Sequence, residues 1–205
     1  MEVVSEQMRA YYDRRAAEYD EWWLGTGLFE NRPRPGWSTE VKQLIETLQG
    51  LPSAHTLDVA CGTGFLTRHL QGDVVALDQS PEMVRLAAAR VPNARALVGD
   101  AVPLPFRDAE FDRLVTSHFY GHLVEDERTA FLEEARRVSA QLVVVDSAKR
   151  EGVKAEEWQE RVLNDGSRHS IYKRFFSARD LAAELGGGEV LHDGRWFVVV
   201  AVPTG

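Results

Sequence analysis

Two glycines separated by one residue close an apolar run in Leu57-Asp58-Val59-Ala60-Cys61-Gly62-Thr63-Gly64-Phe65-Leu66-Thr67, the densest chemical signal in the chain. A strand that ends in such a turn and leads into a helix brings backbone N–H groups to a ligand that a side chain would hold off. Asp58 stands just ahead of the glycines. Asp78 follows 20 residues later, at the end of the next predicted strand, a position suited to the two hydroxyls of a ribose. Asp100 ends the strand after that, in Val98-Gly99-Asp100-Ala101. Three carboxylates on one edge of one sheet form a binding constellation. The dinucleotide fingerprint GxGxxG would place a third glycine at position 67, where Thr67 stands. Its absence disfavours a pyrophosphate and with it a nicotinamide-dependent oxidoreductase. Asp58 ahead of the turn also suits an ammonium group better than phosphates.

The segments around these residues alternate. Thr56–Ala60, Val74–Leu77, Ala94–Val98, Phe111–Thr116 and Gln141–Val145 read as strands. Phe65–Leu70, a helix capped by Ser80-Pro81-Glu82 and running to about Val91, and Glu125–Val138 read as the helices between them. This spacing predicts an α/β fold with a parallel, doubly wound sheet. Glu189–His192, a turn at Asp193-Gly194 and Trp196–Val202 predict a terminal antiparallel hairpin. Ahead of the sheet, the first 20 residues read as a helix with Met8, Tyr11, Tyr12, Arg15 and Tyr19 at three- and four-residue steps. A Gly/Pro-rich stretch, Gly25 to Gly36, separates it from a second helix that starts at Ser38 and runs to about Leu48. A charged insertion between Ser147 and Phe176 is expected to hold a helix over Val153–Leu163, and Ser177 to Asp180 forms a capping box for a last helix to Leu185.

Composition narrows the partners. The 205 residues carry 24 Lys and Arg against 32 Asp and Glu, a formal charge of −8, so the chain lacks the footprint of a general nucleic-acid binder and is repelled by anionic membranes. One cysteine, Cys61, allows no intrachain disulfide, and no cluster with metal-ligand spacing is present in the sequence. The opening MEVVSEQMRA has no apolar signal core, and a cytoplasmic protein is expected.

Residues 56–146 resemble the class I S-adenosylmethionine (SAM)-dependent methyltransferases, small-molecule type. LDVACGTGFLT is similar to their first motif, VALDQS to the ribose-binding acidic motif, and VGDAVPLPFRDAEFDRLVTS to the segment that pockets adenine. Arg137-Val138-Ser139-Ala140-Gln141 departs from the Pro-Gly-Gly turn of many members, at a position far from the chemistry. The resemblance implies a Rossmann-like, seven-stranded, mostly parallel sheet with an antiparallel C-terminal hairpin. It implies SAM as cofactor and S-adenosylhomocysteine as product. Asp58, Gly62 and Gly64, with Ala60 and Thr63 in the same loop, would contact the methionine part. Asp78 would hold the ribose, with Gln79 and Met83 beside the adenine. Asp100 would accept from the adenine amino group, and the Ala101 N–H would donate to a ring nitrogen. Ser117 and His118 would face the sulfonium. Met83 has an equal alternative as a core residue.

Three places supply candidate acceptor residues. His118 and His122, four apart with Phe119 and Tyr120 between them, suit acceptor positioning or base catalysis. Tyr12 and Tyr19 close the pocket if the N-terminal helix forms a lid; the other reading is a helix simply packed on the core. Arg161, Arg168, Lys173 and Arg174 against Asp165 alone give a local +3 on an acidic chain. A cationic arm with Arg161, Arg168 and Lys173 inward would orient an anionic acceptor, and a solvated charged arm is the alternative. Tyr11-Tyr12, Glu18-Tyr19-Asp20, Thr67-Arg68-His69-Leu70 and Leu163-Asn164-Asp165-Gly166-Ser167 are similar to phosphonate O-methyltransferases of the dehydrophos type.

The expectation is a single methyltransferase domain over 1–205, with an N-terminal helical lid over 1–50 and an acceptor-side insertion over 147–177. It acts on a small-molecule acceptor, with O-methylation of a carboxylate or phosphonate favoured, as a monomer or homodimer. Alternatives are N- or C-methylation of a neutral small molecule, or a SAM-binding module without catalysis. A nucleic-acid methyltransferase is disfavoured by charge and by the lack of an Asn/Asp-Pro-Pro-Tyr motif.

Overall fold

Strands buried on both faces need helices on both sides, and the short apolar runs meet that requirement. The computed structural model of the chain describes residues 6–205. Its strands are β1 (Ala54–Val59), β2 (Gly72–Asp78), β3 (Arg95–Val98), β4 (Arg113–Ser117), β5 (Gln141–Ser147), β6 (Glu156–Val162), β7 (Arg168–Arg174), β8 (Glu189–Asp193) and β9 (Phe197–Pro203). Its α-helices are α1 (Glu6–Arg15), α2 (Glu21–Leu24), α3 (Trp37–Gln49), α4 (Pro81–Arg90), α5 (Glu125–Val138) and α6 (Ala178–Glu184).

Seven strands form one sheet in the order β3-β2-β1-β4-β5-β9-β8. β1 to β5 run parallel, while β9 lies antiparallel to β5 and β8 antiparallel to β9. This is the Rossmann-like arrangement expected from the alternating pattern. Alternate residues of β5 divide between the two cores. Leu142 and Val144 pack with Phe131 and Ala135 of α5 and Leu181 of α6. Val143 and Val145 pack with Val41, Leu44 and Leu48 of α3. The order reverses at β1, which has β2 on one side and β4 on the other. Crevices open at the carboxyl ends of the strands at such a reversal.

Local chemistry sets the helix starts. Ser80 Oγ accepts from the Met83 N–H at 3.1 Å, with Pro81 in the first turn, and Ser177 Oγ accepts from the Asp180 N–H at 3.0 Å. Both caps match the sequence reading. Three expectations need correction. Val153–Leu163 is not helical: β6 pairs antiparallel with β7, Glu156 opposite Arg174 and Arg161 opposite His169. Phe65–Leu70 forms only a 3-10 turn at Thr67–His69. The first helix breaks after Arg15 into a 3-10 turn and the short α2, and residues 1–5 of the expected helix lie outside the described residues.

The β6–β7 hairpin forms a separate two-stranded sheet. Ile171 on β7 packs with Leu163 and with Tyr11 of α1. Hairpin and N-terminal segment therefore meet over the carboxyl ends of the sheet. Among the described residues, no helix is long and apolar enough to cross a membrane.

Glu40 fastens the terminal hairpin from inside. Its buried carboxylate accepts from the N–H groups of Trp196 and Phe197 at 2.7 and 2.8 Å. Glu40→Ala leaves both donors without a partner, and chemical denaturation is expected to show a loss of about 2–4 kcal/mol.

Candidate active site

Strands β1 and β4 end side by side, and each is turned by a residue in the left-handed region that is not glycine. Ala60 has φ 57° and His118 has φ 54°. Such backbone costs about 1–3 kcal/mol per residue and gathers at functional sites. Gly62 and Gly64 follow at φ 56° and 74°. A Cβ on Gly62 would stand 3.4 Å from the Tyr19 ring, and one on Gly64 would press on Ala87 of α4 at 3.2–3.3 Å. The first glycine keeps a crevice open to the ring above it; the second lets α4 pack closely.

That crevice is lined by Ala60, Gly62, Asp78, Gln79, Met83, Ala101, Ser117 and His118, with Tyr12 and Tyr19 closing it from the N-terminal segment. Asp78 is buried and accepts from the Gly62 and Ser80 N–H groups at 2.9 Å each. Burial still pushes it up to about 6, against the pull of those two N–H groups. Asp58 opens on a small adjoining cavity with Ala60, Tyr19 and Ser117. One of its oxygens accepts from Thr67 Oγ1 at 2.6 Å, while the other, Oδ1, is buried without a partner. Burial pushes Asp58 up to about 7, with Asp78 adding to the rise. Ser117 Oγ and His118 Nε2 are likewise buried and unpartnered. Three orphaned polar atoms around one crevice are the signature of a site built for a polar ligand. An ammonium group would satisfy Asp58 Oδ1, and the remaining lone pairs of Asp78 suit hydroxyl donors.

The free space in the crevice is about 40 Å³, because the N-terminal segment is seated on it. Asp13 accepts from Ser80 Oγ at 2.5 Å, Asp20 accepts from Thr63 Oγ1 at 2.6 Å, and Arg90 of α4 pairs with Asp20. Pockets for small ligands are clefts of about 300–1,000 Å³, and the seated N-terminal segment narrows this one.

A second cavity, of about 360 Å³, adjoins the first across His118, Tyr12 and Tyr19. It contains Arg15, Arg32, Arg34, Arg150, Arg161 and Lys173, and no acid lines it. Among the described residues, none of those five arginines pairs with a carboxylate. Lys173 differs. It is buried, and its Nζ donates to Asp146 Oδ1 at 2.5 Å. Burial would push Asp146 up, but Lys173 and His118 reverse the effect and hold it below the usual carboxylate range. Asp146 also accepts from the Gly121 and Ser147 N–H groups, both at 2.7 Å.

Both histidines are neutral. Burial pulls His118 down to about 3, with Asp146 opposing and Lys173 and Arg15 assisting. Its Nδ1 lies 3.3 Å from Ser147 Oγ and 3.8 Å from Asp146 Oδ1. His122 is pulled well below its ordinary range, first by burial and then by Lys173. Its Nδ1 stands 2.6 Å from the Tyr172 carbonyl, which can only accept, so that nitrogen carries the proton. Burial holds the Tyr19 phenol up at about 12 and raises that of Tyr12 further, so neither is an anion at neutral pH.

A family model described as "Methyltransferase domain" matches residues 57–141. The DhpI–SAM–HEP complex is similar over 99% of both chains, with 26% identity and a TM-score of 0.79. The chain is a SAM-dependent methyltransferase. An uncharacterized methyltransferase of Alkaliphilus oremlandii is 25% identical over 179 residues, covering 84% of this chain and 79% of that one. A demethylmenaquinone methyltransferase of Thermotoga maritima is 32% identical over 102 residues, so this chain spans under half of that relative's length. The orphaned Asp58, Ser117 and His118 atoms and the Gly62 cradle fit such a cofactor.

The sequence-predicted residues divide by position. Ala60, Gly62, Asp78, Gln79, Met83, Ala101 and Ser117 line the methyltransferase's first cavity, and Asp58 lines its annex. Thr63 and Gly64 are buried within the loop and line neither cavity, and Asp100 stands exposed beside Ala101. His118, His122, Tyr12, Tyr19, Arg161 and Lys173 line the second cavity. Arg168 does not: it is exposed and paired with Glu160 on the neighbouring strand. Among the described residues, no group of three or more His, Cys, Asp or Glu could hold a metal ion. Sequence reasoning did not assign Asp146, or Arg32, Arg34 and Arg150, to the acceptor side, and it placed Arg15 there only as part of the N-terminal helix. The Arg-Pro-Arg-Pro run in a loop was the one available signal.

Replacing Lys173 by Met strands a buried carboxylate. Denaturant unfolding is expected to show a loss of about 3–5 kcal/mol. The deficit should shrink as pH falls, because protonation of the unpaired Asp146 removes the buried charge.

Proposed function

We propose that this methyltransferase transfers its methyl group to an oxygen of a small anionic acceptor, a carboxylate or a phosphonate. The observation that carries the reading is the second cavity: five arginines without a carboxylate partner among the described residues, and no acid in the lining. A neutral acceptor would leave those charges uncompensated in a partly desolvated space. The DhpI structural neighbour forms a complex with SAM and HEP, in line with paired cofactor and acceptor cavities.

In this reading Asp58 holds the ammonium group of the cofactor and Asp78 the ribose hydroxyls. Gln79, Met83 and Ala101 flank the adenine, with Asp100 at the rim. Gly62 and Gly64, with Ala60 and Thr63, shape the loop, and Ser117 faces the sulfonium. SAM supplies a methyl carbon on a positive sulfonium, whose sulfur is left neutral when that carbon passes to the acceptor oxygen. An oxyanion brings its own electron pair, so the protein has no proton to remove. Its tasks are alignment and exclusion of water. His118, shared by both cavities, is neutral. With Ser147 Oγ–H donating to Nδ1, its Nε2–H donates to the acceptor oxygen. His122 offers the Nε2 lone pair to any hydroxyl or amide of the acceptor. Tyr12 and Tyr19 stay protonated and close the pocket, as part of an N-terminal lid over 1–50. The segment 147–177 forms the acceptor wall. Arg161 and Arg15 hold the acid itself, and Lys173 fixes Asp146 behind His118.

Two measurements test this. Calorimetric titration with SAM should show affinity falling roughly tenfold per pH unit below about 7, because Asp58 must shed its proton to receive the ammonium group. Asp58→Asn should weaken binding and flatten that part of the profile. A methyl-transfer screen across carboxylates, phosphonates, phenols and amines should yield methyl esters of acids. Arg161→Ala and Arg15→Ala should each lower kcat/KM by about 10–100-fold. Turnover of neutral amines or phenols alone would overturn the reading in favour of N- or C-methylation. Tight SAM binding with no turnover of any class would favour a non-catalytic module.

A further inference from the structure

The cations of the acceptor cavity fall into two groups, and one acid group cannot serve both. The inner group lies beside His118. Arg15 donates to Tyr11 Oη at 2.6 Å and lies 5.0 Å from the Tyr19 ring centre. Arg161 donates to Gln159 Oε1 at 2.5 Å, and its Nε is buried without a partner. Burial, followed by the charges of Arg15 and Arg32, depresses the Arg161 guanidinium. Lys173 belongs here by position, but Asp146 already neutralises it.

The outer group is built on a pair of indoles. The Arg34 guanidinium stacks 4.1 Å from the Trp37 ring centre and donates to the Trp22 carbonyl at 2.8 Å. The Arg150 guanidinium lies 4.4 Å from the Trp196 ring centre. Trp37 and Trp196 touch, with centroids 5.4 Å apart, and each indole N–H is bonded: Trp37 to the Trp23 carbonyl, Trp196 to the Pro35 carbonyl. Arg32 stacks on Phe29 at 4.6 Å; burial, and then the charge of Arg32, depresses the Arg34 guanidinium. Burial depresses Arg150 as well, with Arg195 assisting and Glu40 opposing. Two remote segments, the Gly/Pro-rich loop and the turn after β5, thus hold like charges against one aromatic platform. Arg34 and Arg150 are half-buried cations that pair with no carboxylate among the described residues, and an anion seated between them would compensate both. A carboxylate held by Arg15 and Arg161 must keep a lone pair free to attack the methyl carbon, so its two oxygens have none to spare for a second pair of arginines. A single acid at Arg15 and Arg161 leaves Arg34 and Arg150 uncompensated.

We infer that the acceptor carries a second anionic group, seated on Arg34 and Arg150, while the acid to be methylated lies on Arg15 and Arg161 beside His118. This rests on the anionic-acceptor reading and narrows it to small diacids, dicarboxylic or phosphonocarboxylic, converted to monoesters. The second acid is recognised and stays unmethylated, because the indole platform holds it away from the methyl-transfer position.

The test compares straight-chain dicarboxylates and phosphonocarboxylates of graded length with the matching monoacids, in which a methyl group replaces the second acid. The best diacid should exceed its monoacid in kcat/KM by about tenfold or more, mainly through KM. Arg150→Met and Arg34→Gln should bring that ratio close to one, whereas Arg161→Gln should lower kcat/KM for both members of each pair together. Calorimetric binding of the same pairs to protein loaded with S-adenosylhomocysteine gives the ratio without turnover. Equal use of monoacids and diacids, or equal losses for both in Arg150→Met, would overturn the second subsite and leave the anionic-acceptor reading standing. Failure of every acid, with neutral acceptors methylated, would overturn both.

Discussion

The buried carboxylate of Asp146 joins the parts of this molecule that would otherwise be independent. It sits at the end of β5, fully enclosed, and accepts from Lys173 of β7 and from the backbone of Gly121 beyond β4. A Cβ at Gly121 would fall within 3.0 Å of both its oxygens, so that approach is open to glycine alone. A two-stranded hairpin with one exposed face has little stability of its own. Here the Asp146–Lys173 pair, the His122–Tyr172 bond and the bridge between Ala148 and Phe176 anchor it to the sheet. The buried ion pair contributes little net free energy against a hydrophobic alternative, yet losing one member is costly. Its value lies in register: it sets where Arg161 stands relative to His118.

Strain and electrostatics meet at the same point. Left-handed backbone at Ala60 and His118 is unfavourable locally, and the parallel pairing of β1 with β4 and of β4 with β5 holds both residues there. The result is a neutral imidazole on the wall between two cavities, one edged by carboxylates and one by arginines. The chain as a whole is acidic at −8, so the arginine cavity is an inversion of the overall field, not an extension of it. Under the proposed function, recognition of an anion would act at short range, through guanidiniums gathered in one cavity, more than through long-range steering.

The central sheet was legible because its signals are local. The glycine turn, the Ser80-Pro81 and Ser177 caps and the apolar strand runs depend on neighbours a few residues away. The β6 segment was not, because Glu156–Val162 has few apolar residues to fix a period; only its pairing with β7 makes it a strand. The Phe65–Leu70 turn was misread for a related reason. Thr67 is spent on Asp58, and Phe65 and Leu66 are buried in the α3-side core, so the chain has no need to continue as a helix. The arginine cavity was partly visible. Arg161 and Lys173 stood out as charge on an acidic chain and Arg15 by its helical spacing, whereas Arg34 and Arg150 come from two distant segments, and no spacing brings them together. Lys173 and Arg168 show the opposite error: a cation counted in the sequence can already be neutralised in the fold.

The N-terminal segment borders both cavities. Tyr12 and Tyr19 line both, Arg15 and Trp22 line the acceptor side, and Asp13 and Asp20 fasten the segment to Ser80, Thr63 and Arg90. Among the described residues, polar contacts and the small cluster of Tyr11, Leu163 and Ile171, with Met8 and Tyr12 packed against it, hold α1, while α2 inserts Trp23 into the larger core. The outer turn is thus the part that opens at least cost. In the lid reading proposed above, a swing that widens the first cavity would also withdraw Arg15 from the second. On the same reading, the anion-binding group would be restored when the segment reseats over the occupied crevice, and acceptor recognition and exclusion of water from the first cavity would be one event, because the same residues would perform both.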